Sequence, residues 1–113
     1  MKDCIFCRIV AGEIPATMVY DDAEVVAFRD AHPQAPVHVL IVPRRHVASL
    51  DEAESSDRAL LGGVLLAAKQ IAAQEGIAGA YRVVLNCGAP AGQSVFHAHF
   101  HVLGGRAMGW PPG

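Results

Sequence analysis

What this 113-residue chain lacks narrows it first. It has no block of like charge, and nine Lys and Arg against eleven Asp and Glu leave a net charge of −2. A groove that follows a nucleic-acid backbone needs a basic stripe, so nucleic acid is not an expected partner. A single phosphorylated small molecule stays compatible, because backbone amides and neutral side chains can hold one phosphate. No apolar run approaches the ~18 residues of a membrane span. Lys2 is followed at once by Asp3, Arg8 interrupts the apolar run 4–10, and no small-residue cleavage site follows, so no export signal is expected. Three cysteines are an odd number, which argues against a disulfide scaffold and for a reducing, cytoplasmic setting. Charged residues are scarce at 18% while hydrophobic ones reach 52%, a balance that builds a core and excludes a disordered tail. There is no internal repeat, low-complexity tract or linker. Two cores in this length would each sit near the lower limit for independent folding, so one domain over 1–113 is expected.

The pattern of apolar residues predicts α+β architecture with an antiparallel sheet. Residues 4–10 place Ile5, Phe6, Ile9 and Val10 at helical spacing, and Gly12 and Pro15 stop that helix. Residues 17–20 and 24–29 read as strands joined by Asp21-Asp22 turn chemistry. Residues 30–36 hold two prolines and form a loop, and 37–42 is an apolar strand that Pro43 ends. Residues 57–74 form the long helix, with Leu60, Leu61, Val64, Leu65, Ala68, Ile71 and Ala72 on one face and Gly76 as C-cap. Gly62 and Gly63, each costing roughly 1 kcal/mol against Ala in a helix interior, read as a place of close helix packing. Residues 80–86 and 95–103 are the last two strands.

The chemistry concentrates in His97-Ala98-His99-Phe100-His101. Histidine alternates with apolar residues at period two, which predicts a strand with three imidazoles on one face, ~6.5–7 Å apart. Two readings compete. His-x-His pairs chelate metals, but no Asp or Glu follows Glu75 and no His follows His101 to complete such a site. The alternative is covalent catalysis by an imidazole, which attacks phosphorus well when its other ring nitrogen is held protonated. The loop 86–94 before it is rich in glycine, and its amides could form an anion-binding nest, with Ser94 as a donor to phosphate oxygen. Cys4-Ile5-Phe6-Cys7 offers two thiolates to one tetrahedral metal, and zinc would need two further ligands. A redox role expects that motif after a strand in a βαβ unit, which the pattern lacks. Two merely packing cysteines are the third reading.

The stretch Gly92-Gln93-Ser94-Val95-Phe96-His97-Ala98-His99-Phe100-His101-Val102-Leu103 resembles the signature of the histidine triad family. So do Cys4-Ile5-Phe6-Cys7-Arg8-Ile9, Gly12-Glu13-Ile14-Pro15-Ala16, Gln34-Ala35-Pro36-Val37-His38, Val42-Pro43-Arg44-Arg45-His46 and the ending from Gly104 to Gly113. The likeness spans essentially the whole chain and is nearest to the branch of purine nucleoside phosphoramidases. It implies a homodimer whose two five-stranded sheets join into one of ten. It implies hydrolysis of nucleoside 5′-phosphoramidates and related acyl-adenylates, with purine nucleoside monophosphates as ligands and no metal needed for catalysis. His99 would be the nucleophile, with His38, His97 and His101 orienting it, sharing protons and contacting phosphate. Asn86, Gly92, Gln93 and Ser94 would line the phosphate, and Asp30 would accept the ribose hydroxyls. Ile5, Phe6, Ile9 and Phe28 would form the base pocket, and the tail with Trp110 would reach the partner's active site. Some bacterial members that resemble this chain bind structural zinc, here at Cys4, Cys7, His46 and His97. Within the same resemblance stand a non-enzymatic nucleotide- or zinc-binding adaptor and a dinucleoside polyphosphate hydrolase. The short ending Trp110-Pro111-Pro112-Gly113 speaks against the latter. Ala98, Phe100, Cys87 and Gly109 depart from the family's usual residues and bear on leaving-group preference.

Overall fold

The computed structural model describes residues 3–113; Lys2, on which the reading of the first residues partly rests, lies outside them. Its elements are α1 (Ile5–Val10), β1 (Met18–Asp21), β2 (Val25–Arg29), β3 (Val37–Pro43), α2 (Arg58–Gln74), β4 (Tyr81–Leu85) and β5 (Phe100–Gly104). The strands make one sheet in the order β1-β2-β3-β5-β4, with every neighbouring pair antiparallel. The expected α+β class and five-stranded sheet are therefore present. The β1–β2 turn is built by Asp22, whose Oδ1 accepts the amides of Glu24 and Val25 at 2.8 and 2.9 Å, as a short acidic side chain in a turn does.

Period-two alternation sorts the strands onto two faces. Val25, Ala27, Val39, Ile41, Phe100 and Val102 pack beneath α2, against Leu60, Val64, Ala67, Ala68, Ile71 and Ala72. Val26, Phe28, Leu40 and Val42 point the other way and pack with Cys4 and Phe6 at α1. His38 shares the parity of Leu40 and Val42, and His101 pairs directly with Leu40. Both imidazoles thus stand on the α1 face, away from the α2 core.

Three expectations are corrected. The fifth strand begins at Phe100 rather than at residue 95. The β3–β5 register pairs Ile41 with Phe100, so continuing it would bring Ala98 opposite Pro43, which has no N–H to donate, and the ladder stops. Ala98 N–H instead donates to the Val47 carbonyl at 2.7 Å. On α2, Leu65 is 54% exposed rather than buried, because the 3.6-residue repeat through 60, 64, 67, 68 and 71 leaves it on the flank. Among the described residues Gly62 and Gly63 have no close packing partner, since a Cβ on either would meet no atom within 4 Å. They share the open side of α2 with Leu66, which is 69% exposed.

Candidate functional site: an imidazole relay beside a Cys/His cluster

The three alternating histidines do not share one face. His97 turns away from the other two, and His38 from β3 takes its place. Tautomers follow from the fixed partners. The Gln34 amide donates to His38 Nδ1 at 2.9 Å, so in the neutral ring the proton sits on Nε2. That Nε2–H donates to His101 Nδ1 at 2.9 Å, which leaves His101 with its proton on Nε2. His99 is buried, and its Nδ1–H donates to the His97 carbonyl at 2.8 Å. The lone pair of His99 is therefore on Nε2, the arrangement a nucleophilic imidazole needs. The rings of His99 and His101 lie 5.1 Å apart, and Phe6 meets His99 edge to face at 5.0 Å.

Two imidazoles of the relay, His101 and His38, stand in surroundings that favour the neutral form. Burial, then the neighbouring His99 and His38, pulls His101 down to about 4. Burial also lowers His38, with Asp30 pulling the other way. The Asp30 carboxylate, 3.3 Å from His38 Nε2, accordingly faces a neutral ring. Because His38 Nε2 holds a proton, the group Asp30, His38 and His101 does not offer a metal two imidazole lone pairs, close as its atoms lie.

A cleft of about 550 Å³ opens beside these rings, a size that suits a small-molecule ligand. Of the expected site residues, Ile5, Phe6, Ile9, Phe28, Asp30, Ser94, His99 and His101 are brought together in its lining. Asp30 Oδ1 accepts the His32 amide at 2.8 Å, which fixes the carboxylate at the rim. Sequence reasoning missed the wall formed by Thr17, His32, Leu40 and Val95. Leu40 was detectable from strand parity with Phe28, whereas an exposed loop residue such as His32 carries no local signal.

Other expected residues stand elsewhere. Gln93 is almost fully buried and clamps the loop: its Oε1 accepts the Gly88 amide, and its Nε2 donates to the Ala48 and Val95 carbonyls at 2.7 and 3.0 Å. The amides of Gly88, Ala91, Gly92 and Gln93 all bond within the loop. They form no open anion nest, and among the loop residues expected at the phosphate only Ser94 faces the cleft. Gly92 takes φ +103° with Asn86 beside it. Asn86 lines a second depression, shared with His38, His101 and the tail residues Pro111 and Pro112. Trp110 is 83% exposed and lies outside the cleft of its own chain.

His97 belongs to another cluster. Its fully buried ring donates Nε2–H to the Pro43 carbonyl at 2.7 Å, which leaves Nδ1 as a lone pair. That lone pair lies 3.3 and 3.4 Å from the sulfurs of Cys4 and Cys7, and His46 Nδ1 lies 3.3 Å from Cys7 Sγ. The four atoms are within 4.8 Å of one another. Ligands of a tetrahedral zinc at ~2.3 Å (S) and ~2.05 Å (N) would stand about 3.6 Å apart, S to N. Donor set, spacing and the carbonyl behind His97 all fit such an ion. Cys4 also caps α1, accepting the Cys7 amide at 3.3 Å.

A sequence profile of the HIT domain matches residues 11–108. An uncharacterised HIT-like protein of Synechococcus elongatus is 53% identical over 112 residues, which are 99% of this chain and 98% of that protein. A similar protein of Synechocystis is 52% identical over the same shares. Among solved structures, a HIT family hydrolase from Legionella pneumophila superposes with TM-score 0.96 at 48% identity, covering 98% of this chain and all of the other. A histidine triad protein from Clostridium difficile gives 0.93 at 40% identity, covering 96% of each chain.

Proposed function

The chain belongs to the HIT domain family, and from that premise we propose that it hydrolyses the P–N bond of purine nucleoside 5′-phosphoramidates and related acyl-adenylates, with His99 as the nucleophile. The observation that carries this reading is the His99 Nδ1–H bond to the His97 carbonyl. It leaves the Nε2 lone pair free at a ring that lines the cleft.

In the first step Nε2 bonds to phosphorus and the P–N bond breaks, the amine leaving with a proton from solvent. His99 becomes a nucleotidyl-imidazolium whose Nδ1–H is still held by the carbonyl. Water then attacks phosphorus and gives a proton back to solvent, the N–P bond breaks with its electron pair returning to Nε2, and the nucleoside monophosphate is released. His101 stays neutral and offers Nε2–H to a phosphoryl oxygen, while His38 holds it in that tautomer. Ser94 is a second donor. Asp30 accepts the ribose hydroxyls, and Ile5, Phe6, Ile9 and Phe28 hold the base. The hydrogen-bonded relay of His38 and His101 beside the free Nε2 of His99, which a mere binding module does not need, favours turnover over storage of nucleotide.

Two further parts belong to the proposal. Cys4, Cys7, His46 and His97 hold one zinc ion, which fastens α1 to the sheet and takes no part in the reaction, since four protein ligands leave no open position. Two chains pair through β4 and the open side of α2: β4 is an edge strand of the sheet, next to the catalytic strand β5, and exposed Leu65 and Leu66 flank the bare Gly62 and Gly63. Pairing would cover that edge and bring the partner's tail within reach. None of the three cysteines is joined in a disulfide, which suits a reducing compartment.

The test is His99→Ala. Hydrolysis of an adenosine phosphoramidate should be abolished while calorimetry still detects nucleoside monophosphate, because Asp30 and the apolar walls are untouched. Appreciable turnover by this variant would sink the covalent route.

A further inference from the structure

The nucleophile and the thiol cluster meet in one residue. The His97 ring faces Cys4 and Cys7, and the His97 carbonyl holds the proton of His99. A second link runs through Phe6, which lies between the two cysteines in sequence and packs edge to face on both His97 and His99, with centroids 6.1 and 5.0 Å away. Cys4 and Cys7 therefore neighbour the residue that sets the His99 tautomer. The cluster is also reachable: a cleft of about 480 Å³ is lined by Cys4, His46 and Ser94 among others, ample for a molecule the size of a peroxide.

We propose that Cys4 and Cys7 are a redox modification site, and that joining them as a disulfide switches off the nucleophile by releasing His97. This rests on the phosphoramidase reading of His99. The oxidant is hydrogen peroxide. One thiolate attacks a peroxide oxygen, the O–O bond breaks and a sulfenic acid forms. The second thiolate attacks that sulfur, the S–S bond forms, and the S–O bond breaks to release water. Two electrons leave the thiols and reduce one peroxide to two waters. A zinc ion held there loses half of its ligands and departs.

Metal loss alone does not have this effect. With both thiols reduced, His97 Nδ1 keeps sulfur neighbours at 3.3 and 3.4 Å as hydrogen-bond partners, and its carbonyl keeps its place. In the disulfide neither sulfur carries a proton or a ligand site, so the ring loses its anchor on that side. His99, no longer held, passes to the tautomer that free imidazoles favour in water, with the proton on Nε2, where it blocks attack.

The full-length protein, carrying Cys87→Ser so that the two cysteines report alone, is divided into three samples: untreated, chelated under reductant, and treated with hydrogen peroxide. Free thiols, released zinc, kcat, KM and the nitrogen-15 spectrum of the histidines are read in each. The expected result is that peroxide removes two thiols and the zinc, lowers kcat at least tenfold and moves the His99 signal from the Nδ1–H form. Chelation should leave kcat within about twofold, and reductant with zinc should restore the oxidised sample. In Cys4→Ser/Cys7→Ser peroxide should change nothing. Thiols that resist peroxide, or a disulfide that leaves both the His99 signal and kcat unchanged, overturn the proposal. No turnover in the untreated sample refutes the phosphoramidase reading instead, and the nitrogen-15 signal still decides the switch.

Discussion

Acid should weaken this protein through His101. The ordinary imidazole pKa is 6.5, and in the folded chain burial and two neighbouring histidines bring His101 to about 4. The unfolded chain therefore binds more protons than the folded one between those values, and stability falls as pH falls through that interval. The contribution is fully present above pH 6.5 and is gone below about 4. The difference between the two values corresponds to about 3 kcal/mol at most, and about 2 kcal/mol once the partial exposure of the ring is allowed for. Urea unfolding at a series of pH values from 7.5 to 4.5 would measure it, with His101→Gln as the reference. Glutamine keeps an acceptor for His38 Nε2–H and does not titrate. The native protein should lose about 1–2 kcal/mol more than the variant across that range. Equal losses in the two proteins would refute the assignment of a neutral, half-buried His101.

Protein prepared without chelator should carry about one zinc per chain, and Cys4→Ser/Cys7→Ser should lose it together with at least about 4 °C of melting temperature, the equivalent of ~1 kcal/mol in a domain of this size. A metal-free preparation would leave these cysteines as packing residues. Leu66→Glu, which places a charge in the middle of the open α2 side, should convert a dimer into a monomer in sedimentation at micromolar concentration; an unchanged mass would move the interface elsewhere. Gly104→Ala should cost ~1–3 kcal/mol, because a Cβ there would stand 2.5 Å from Ile77 Cδ1 and 3.2 Å from the Ala80 carbonyl. Thermal unfolding of this variant alone and with Ile77→Val would show partial relief in the double variant.

Much of this arrangement is legible in the chain. Alternation alone separates Val25 and Ala27 from Val26 and Phe28, and it puts His38 with Leu40. The apolar repeat of 57–74 locates α2 to within one residue of its observed start at Arg58. What escapes the sequence depends on register. Whether His97 continues a strand is decided by which residue lies across from its neighbour, and that residue is Pro43. Nothing local distinguishes a Gln93 that meets phosphate from one that ties a loop together, since the amide is equally suited to both. The Cys-x-x-Cys pair alone does not choose among its three readings, because the imidazoles of His46 and His97 that the fold brings to its sulfurs lie far along the chain. Leu65 looked interior because a helical repeat has width, and only the packed sheet defines where that width ends.

The parity of β3 and β5 also limits how such a protein can diverge. Loss or gain of one codon within either strand would exchange its two faces. In β3, a one-residue slip would send His38 beneath α2 and raise Val37 or Val39 into the relay, breaking core and chemistry in one event. Lineages are thus free to vary length only in the connections, such as the stretch between Pro43 and α2. Within the two central strands they are confined to exchanging one side chain at a time.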